Sequence, residues 1–318
     1  MTPLVSFLTP AYNAAPYLAE TIRSTLAQTW PRIEMIVVND GSRDETSTVA
    51  RSLRDPRVKV IDQENRGQSA SENVAFHASQ GDYIVHLDAD DLISPNKVET
   101  QVRRLQESEP GCIAFGPWGR FYDKPENARF NPEPFWRDID PIDFHVDMWQ
   151  RHSMIQGACY LIPRQVIDRV GPWDESLSLI NDFDFFPRVL LQAPKLLFCP
   201  EALLYYRSGL PGALSGSKSP AAWDSAFRAI GSGTQRLLTA ENSLRTQKAC
   251  SRSFEEFVYA SYPAVPDLRR RAWERVRELG GPFFQPQMGP KMKAVSRIVG
   301  WKLAKRFQSL TRRLIKGA

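Results

Sequence analysis

Over the first hundred residues, short and wholly apolar runs alternate with stretches of helical period, and few architectures accept that pattern. Residues 4–9 read as a buried strand ended by Pro10. Leu18, Ile22 and Leu26 then recur at every fourth position, a helical stripe that stops near Trp30-Pro31. Further strands are predicted at 33–38, 58–61 and 83–87, with helices over 44–54 and 69–79. Ser94-Pro95 supplies an N-cap and a first-turn proline for a helix reaching 108. Apolar strands separated by helices imply a parallel sheet covered on both faces, an α/β class of Rossmann-like kind. Ligands of such sheets bind beyond the carboxyl ends of the strands. The polar clusters fall there: Pro10-Ala11-Tyr12-Asn13, Asn39-Asp40-Gly41-Ser42, 62–67 and Asp88-Ala89-Asp90-Asp91. Residues 1–108 are therefore expected to form a nucleotide-binding half.

Beyond Cys112 the pattern loosens. Residues 115–149 hold nine aromatics in 35 positions, broken by Pro125, Pro132, Pro134 and Pro141, which suits either a core of irregular hairpins or an aromatic groove for a flat acceptor such as a sugar. Short strands are expected at 160–162, 196–199 and 203–206. The expected organisation is a catalytic domain over 1–215, with an acceptor half at 109–215, and a helical extension over 216–285. In that extension Trp223, Phe227, Ile230 and Leu237 share one face. A basic amphipathic helix is expected over 286–318.

Of the 318 residues, 42% are hydrophobic and 24% charged, which excludes a disordered or fibrous chain. No apolar run approaches the roughly 20 residues of a membrane span. No basic stretch followed by an apolar run opens the sequence, and Cys112, Cys159, Cys199 and Cys250 form no CxxC pair. Reduced thiols and a cytoplasmic setting are the expectation. From 291 to 318 there are nine Lys/Arg and no Asp/Glu, leaving 32 basic and 36 acidic residues over 1–290. The body is mildly acidic, so a nucleic-acid-binding surface is a poor account of the basic balance. In the tail, Val295, Val299, Leu303, Phe307, Leu310 and Leu314 make an apolar stripe with the basic residues largely off it. Contact with an anionic membrane surface, peripheral on its inner face, fits that pattern, as does packing on the body or a partner.

Three acidic clusters carry the chemistry. Asp88-Ala89-Asp90-Asp91 ends an apolar strand, and carboxylates this close repel unless a cation offsets them. Oxygen ligands with positions left for phosphate suit Mg²⁺ or Mn²⁺. Asp40, at a strand end before Gly41-Ser42, either accepts from a nucleobase N–H or caps the next helix, and Tyr12 is placed to stack on such a base. Asn181-Asp182-Phe183-Asp184 opens a helix, where a carboxylate stays ionised and can take a proton from a hydroxyl. One of Asp182 and Asp184 is expected only to cap.

In combination, 5–13, Val37-Val38-Asn39-Asp40-Gly41-Ser42 with Asp44, Asn65-Arg66-Gly67-Gln68-Ser69-Ala70 with Asn73, Gly81-Asp82-Tyr83-Ile84 and 87–91 resemble the family 2 inverting glycosyltransferases of GT-A fold. Residues 171–177 with Asp182-Phe183-Asp184 resemble that family's later acidic motif, so the likeness spans about 1–210. The resemblance implies a mostly parallel sheet flanked by helices, a nucleoside-diphosphate sugar donor (UDP favoured), and a hydroxyl acceptor on a saccharide, lipid-linked saccharide or protein. It places Pro10, Tyr12, Asn13, Asp40, Asn65, Gly67, Ser69, Asp88, Ala89 and Arg207 around the nucleotide. Tyr12 and Asp40 would hold the uracil, Asp88 the ribose side, Asp90 the Mn²⁺ or Mg²⁺, and Asp182 would be the general base. Two departures stand out: Glu72 where the family often has Arg, and Asn181 where it has Glu. The QxxRW motif of processive synthases is absent, so a single addition is expected, in polysaccharide or glycoconjugate synthesis. Tyr206-Arg207-Ser208-Gly209 followed by Ser215 looks like a segment that closes over the donor, without the His the family often carries there, leaving phosphate contact to Arg207. A non-catalytic glycosyltransferase-like binding protein is the alternative. A DxD phosphatase fits less well, since Leu92 stands where a Thr or Val is wanted.

Overall fold

The computed structural model describes residues 2–210, 216, 218–283, 296, 300–303 and 305. The four apolar runs become β1 (Val5–Ala11), β2 (Ile33–Asp40), β3 (Val58–Gln63) and β4 (Tyr83–His86), parallel in the order β3-β2-β1-β4. Their register sets Val5 against Ile33 and Tyr83, and Leu8 against Ile36 and His86. Successive side chains point to opposite faces. Val5, Phe7, Met35, Val37 and Val85 thus enter one core, while Leu8, Ile36, Val38 and Ile84 enter another. The connecting helices α1 (Leu18–Leu26), α2 (Thr46–Ser52) and α3 (Gln68–Ala78) divide between these cores: Leu18, Ile22 and Ala50 fill the first, and Ala75 the second. Each such side chain removed from water contributes about 1.5–3 kcal/mol, Ala much less.

The chain continues through β5 (Leu92–Ile93), α4 (Lys97–Gln106), β6 (Ile113–Phe115), β7 (Trp118–Phe121), α5 (Pro141–Arg151), β8 (Tyr160–Pro163), α6 (Arg164–Val170), α7 (Asp182–Leu190), β9 (Leu196–Phe198) and β10 (Leu204–Arg207). Strand β8 runs antiparallel to both β4 and β6, and β9 parallel to β6, extending the sheet to β3-β2-β1-β4-β8-β6-β9. A second sheet, β5-β10-β7, stands apart. Strand β5 was not anticipated, because two residues carry no periodicity. Helix α4 begins at Lys97 after Asn96, not at Pro95. The Ser94 hydroxyl accepts instead from Leu203 N (3.1 Å), while Leu203 O accepts from Ser94 N (3.0 Å). This tertiary pairing replaces the expected cap.

The aromatic stretch is mostly core. Phe115, Phe121, Phe135, Phe144 and Trp149 are buried, and only Tyr122 is broadly exposed. Helices α8 (Pro220–Ala240), α9 (Leu244–Ala260) and α10 (Pro266–Glu278) form a third core that contains Ile230 and Leu237, with Trp223 and Phe227 packed against it. Gly233 is what lets α8 approach α7, since a Cβ there would run into the Phe183 carbonyl. All four cysteines are free and buried. Among the described residues no helix is long and apolar enough to cross a membrane. Most of the basic tail and of the segment after Leu210 lies outside the described residues. Within the described part, Trp301 packs on Tyr259 and Tyr262, with ring centroids 5.5 and 5.3 Å away.

Candidate functional site

The carboxyl ends of β1 and β2 are laced together by short polar side chains. Asn13 takes a left-handed backbone (φ 50°), which Asn tolerates, and its Oδ1 accepts from Arg43 N (2.8 Å) while its N–H donates to Ser42 Oγ (3.0 Å). Thr46 Oγ1 accepts from Ala14 N (2.8 Å) and Asp44 Oδ2 from Ala15 N (3.1 Å). Hydrogen bonds from the Thr46 side chain and nearby backbone outweigh burial and hold the Asp44 carboxyl below its usual range. Tyr12 stands between these ties, 51% exposed, and Pro10 sits in the ladder opposite Val38.

Asp40 ends β2 and is 3% exposed. Its Oδ1 accepts from Gln63 Nε2 (2.7 Å) and Arg66 N (2.8 Å), its Oδ2 from Gly67 N (2.8 Å), and its carbonyl from Asn65 Nδ2 (2.9 Å). A carboxylate offers about four acceptor positions, so one remains for an external donor. Gly67 caps α3 at φ 88°, with open space where a Cβ would stand. A side chain is disfavoured there by the backbone, and the helix start stays bare.

The next residue joins this region to the acidic turn: Gln68 Nε2 donates to Asp88 Oδ1 (3.2 Å). Here donors are scarce. Burial, then the charges of Asp90, Glu72 and Asp182, push the Asp88 carboxyl up to about 8. Burial raises Asp90, against the pull of Arg207. Asp91 is wholly buried, with its Oδ2 unpaired, and burial and the charges of Asp88 and Asp90 hold it well above the carboxylate range. Ala89 O accepts from Thr21 Oγ1 (3.0 Å), fixing the turn to α1. Arg207 braces it from below: its N–H donates to Asp91 Oδ1 (2.9 Å), Nε to Asp90 O (2.9 Å) and Nη2 to Glu20 Oε2 (2.6 Å), with the guanidinium over the Phe121 and Tyr17 rings. Two of its five guanidinium N–H donors and its backbone N–H are engaged here, which makes Arg207 a buttress of the turn.

Asp182, the first residue of α7, has an open side chain, yet the dense protein around it raises its carboxyl above the usual value; the N–H groups of Phe183 and Asp182 pull the other way. Asn181 accepts from Asp182 N (3.1 Å) and donates to Ser69 Oγ (3.0 Å), which in turn donates to Leu177 O (3.0 Å). The neutral amide thus pins α7 to α3, a donor role that a carboxylate cannot fill. Asp184 faces away, paired with Arg188 (3.0 Å), whose other N–H groups hold the carbonyls of Val170, Gly171 and Pro172. It is the structural member of the two. Asn73 likewise ties α3 to Trp173 and Glu175.

Sequence reasoning marked Glu72 but missed its partner. His86 Nδ1 lies 2.7 Å from Glu72 Oε2, both side chains all but buried, and His86 packs edge-on to Trp173, Phe185 and Phe186. Its position as the last residue of β4, two before Asp88, was the available signal. Tyr206, named in the sequence only as the start of a closing segment, stands beside the acidic turn: burial and the charges of Asp91, Asp88 and Asp90 raise its hydroxyl.

The strand-end carboxylates therefore converge: Asp88, Asp90 and Asp182 share one electrostatic neighbourhood, and Asp40 adjoins it through Gly67 and Gln68. Among the described residues no three His, Cys, Asp or Glu make a ready metal cage. Asp88 and Asp90, crowded and short of donors, fit a hard cation that brings its other oxygens from phosphate and water.

Residues 6–171, about half of the chain, match the sequence profile of glycosyl transferase family 2. An uncharacterized glycosyltransferase of Rickettsia typhi is 34% identical over 207 residues, covering 65% of this chain and 64% of that one. An uncharacterized glycosyltransferase of Rickettsia bellii is 32% identical over 249 residues, 77% of this chain but 35% of that one. The matched region spans between about a third and 64% of the length of such relatives. Among solved structures, S. aureus TarS 1–349 in complex with UDP-GlcNAc superposes with a TM-score of 0.63 at 16% identity, covering 87% of this chain and 89% of that one. The same protein with UDP gives 0.59. At that identity the likeness is one of fold, and it confirms the mainly parallel sheet flanked by helices.

Proposed function

The chain belongs to glycosyl transferase family 2, and from that premise we propose that it transfers a sugar from a UDP-sugar to an acceptor hydroxyl, inverting the anomeric centre. The carrying observation is the cluster at the strand ends, where burial raises the carboxyls of Asp88, Asp90 and Asp182 and the charges of Asp90 and Asp182 raise Asp88 further. The UDP and UDP-GlcNAc held by TarS support the choice of donor. Tyr12, with half its surface free, stacks on the uracil, and the remaining acceptor position of Asp40 takes its N–H. The bare start of α3 at Gly67, Gln68 and Ser69 borders the same donor.

Asp182 accepts the proton of the acceptor hydroxyl while that oxygen attacks from the face opposite the diphosphate. A carboxyl raised above its ordinary value is better matched to that task, and orientation supplies much of the rate. Asp88 meets the ribose side. Asp90 would hold Mn²⁺ or Mg²⁺, which when bound offsets charge on the departing diphosphate. Arg207 keeps Asp90 and Asp91 in place from beneath. Residues 1–108 act as the donor half and 109–215 as the acceptor half; the single transfer ends with release. The nine positive charges of 291–318 hold the enzyme against an anionic membrane surface.

The test is a panel of nucleotide sugars scored for Mn²⁺-dependent release of the nucleoside diphosphate. A UDP-sugar is expected to respond. A chain that binds UDP yet releases none from any donor, with or without acceptor extracts, would be a binding protein instead. Liposome flotation tests the tail: binding should require anionic lipid, fall with salt and vanish on removal of 291–318.

A further inference from the structure

A cavity of about 580 Å³ opens at the end of β7, lined by Arg120, Phe121, Tyr122, Asp123, Asn127 and Arg129. One of these, Phe121, carries the Arg207 guanidinium on its ring at 4.7 Å. Arg120 stands opposite Tyr206 in the β7–β10 ladder and lies over the Trp118 and Tyr206 rings at 5.5 and 5.4 Å. Tyr206 also feels the charges of Asp88, Asp90 and Asp91. The cavity lining is thus linked to the acidic turn through Phe121 and Arg207 and through Arg120 and Tyr206.

The charges in it are unusual. Arg120 and Arg129 face each other across an antiparallel bridge, exchanging both main-chain hydrogen bonds at 3.0 and 2.9 Å. Like charges directly opposite on two strands are destabilising. Yet neither guanidinium has a carboxylate partner among the described residues; Arg120 reaches only Met154 Sδ (3.4 Å), and Arg129 is exposed. The one acid present, Asp123, is turned to its own loop, accepting from Lys124 N (2.7 Å) and Asn127 Nδ2 (3.0 Å). Two forked cations with free donors, Arg120 beside the Trp118 and Tyr206 rings, suit an oxyanion on a flat or cyclic carrier.

We propose that this cavity is the acceptor subsite and that the acceptor carries an oxyanion, phosphate or carboxylate, which Arg120 and Arg129 hold while its hydroxyl reaches past Tyr206 toward Asp182. The proposal rests on the glycosyltransferase reading for the words acceptor and hydroxyl, but the anion site itself does not. It gives the acceptor a chemical class: a charged polyol or saccharide in place of a neutral one.

The full chain is saturated with UDP and Mn²⁺, to occupy the donor side, and titrated by ligand-observed NMR with four probes: glycerol, glycerol 1-phosphate, methyl glucoside and methyl glucuronide. The charged member of at least one pair should bind about tenfold more tightly than its neutral partner, and which pair responds identifies phosphate or carboxylate. Arg129→Gln, at an exposed position, should remove most of that preference; with Arg120→Gln added it should vanish. Arg236→Gln, on α8 away from the cavity, controls for net charge and should leave the preference intact. Equal affinity for charged and neutral probes, or a preference that survives Arg129→Gln and Arg120→Gln together, overturns the proposal. Failure of UDP to bind overturns the donor reading instead, and the anion preference is still read from the same titrations.

Discussion

Two loops end the two strands that flank β1, and each holds a buried or half-buried aspartate, yet they are built on opposite terms. At the end of β2, Asp40 has three side-chain hydrogen bonds and a carbonyl bond besides. At the end of β4, Asp88, Asp90 and Asp91 share one glutamine, one backbone N–H and the flank of Arg207. The first carboxylate organises protein: it fixes the backbone of 65–67 and so sets where α3 begins. The second group is left short of donors, and a protein that keeps unpaired like charges together is less stable than it could be. Satisfied carboxylates mark scaffold and starved ones mark chemistry, and substitutions should separate the two.

The largest effect is expected at Asp182, on the starved side. Asp182→Asn keeps the shape and the open position but cannot accept the proton, so turnover should fall by about 10³-fold or more while UDP affinity changes little. Steady-state kinetics beside UDP titration reads both. Near-normal turnover would remove Asp182 from the mechanism.

On the satisfied side the loss should be in stability. Asp40→Ala orphans the Gln63 amide and the N–H groups of Arg66 and Gly67 together, at a cost of about 3 kcal/mol. Denaturant melts should show the shift without any nucleotide present. A smaller loss is expected where the two sides are joined. Asn181→Asp deletes the donation to Ser69 Oγ and adds a charge next to Asp182, costing about 1–2 kcal/mol; Asn181→Gln, able to donate but longer, should recover part of it. Thermal melts of the three proteins rank them.

The same contrast explains what the sequence disclosed. Strands β1 to β4 were legible because burial on both faces writes continuous apolar runs, and the clusters at their ends follow from that placement. Strand β5, two residues long, and β7, with Gly119 at its centre under the Phe130 ring, leave no period to read. Ser94 looked like a cap because local rules see only neighbours, and its true partner, Leu203, is more than a hundred residues on. Asp88, Asp90 and Asp182 were found by spacing and by family likeness. What spacing could not show was which carboxylates are already satisfied: the ring of donors around Asp40 and the Glu72–His86 contact are made by residues 14 to 27 positions away.

The finest test of the comparison uses Asp88 alone. Its carboxyl is held at about 8 by burial and by Asp90, Glu72 and Asp182, against about 3.8 in the unfolded chain. For a carboxyl raised on folding, the protonated form favours the native state, so the stability it contributes is present at acid pH and is lost as pH rises from about 4 toward 8. Asp88→Asn keeps the size, removes the charge and removes that dependence. In chelator at pH 8 the variant should therefore be more stable than the parent by about 1 kcal/mol, roughly 3 °C, and the gap should close as the pH falls toward 4. The substitution should also abolish transfer, giving a more stable and inactive protein. Asp40→Ala can only move the other way. Were Asp88→Asn to lower the melting temperature at pH 8, the β4 loop would be scaffold like the β2 loop, and the contrast between the two would fail.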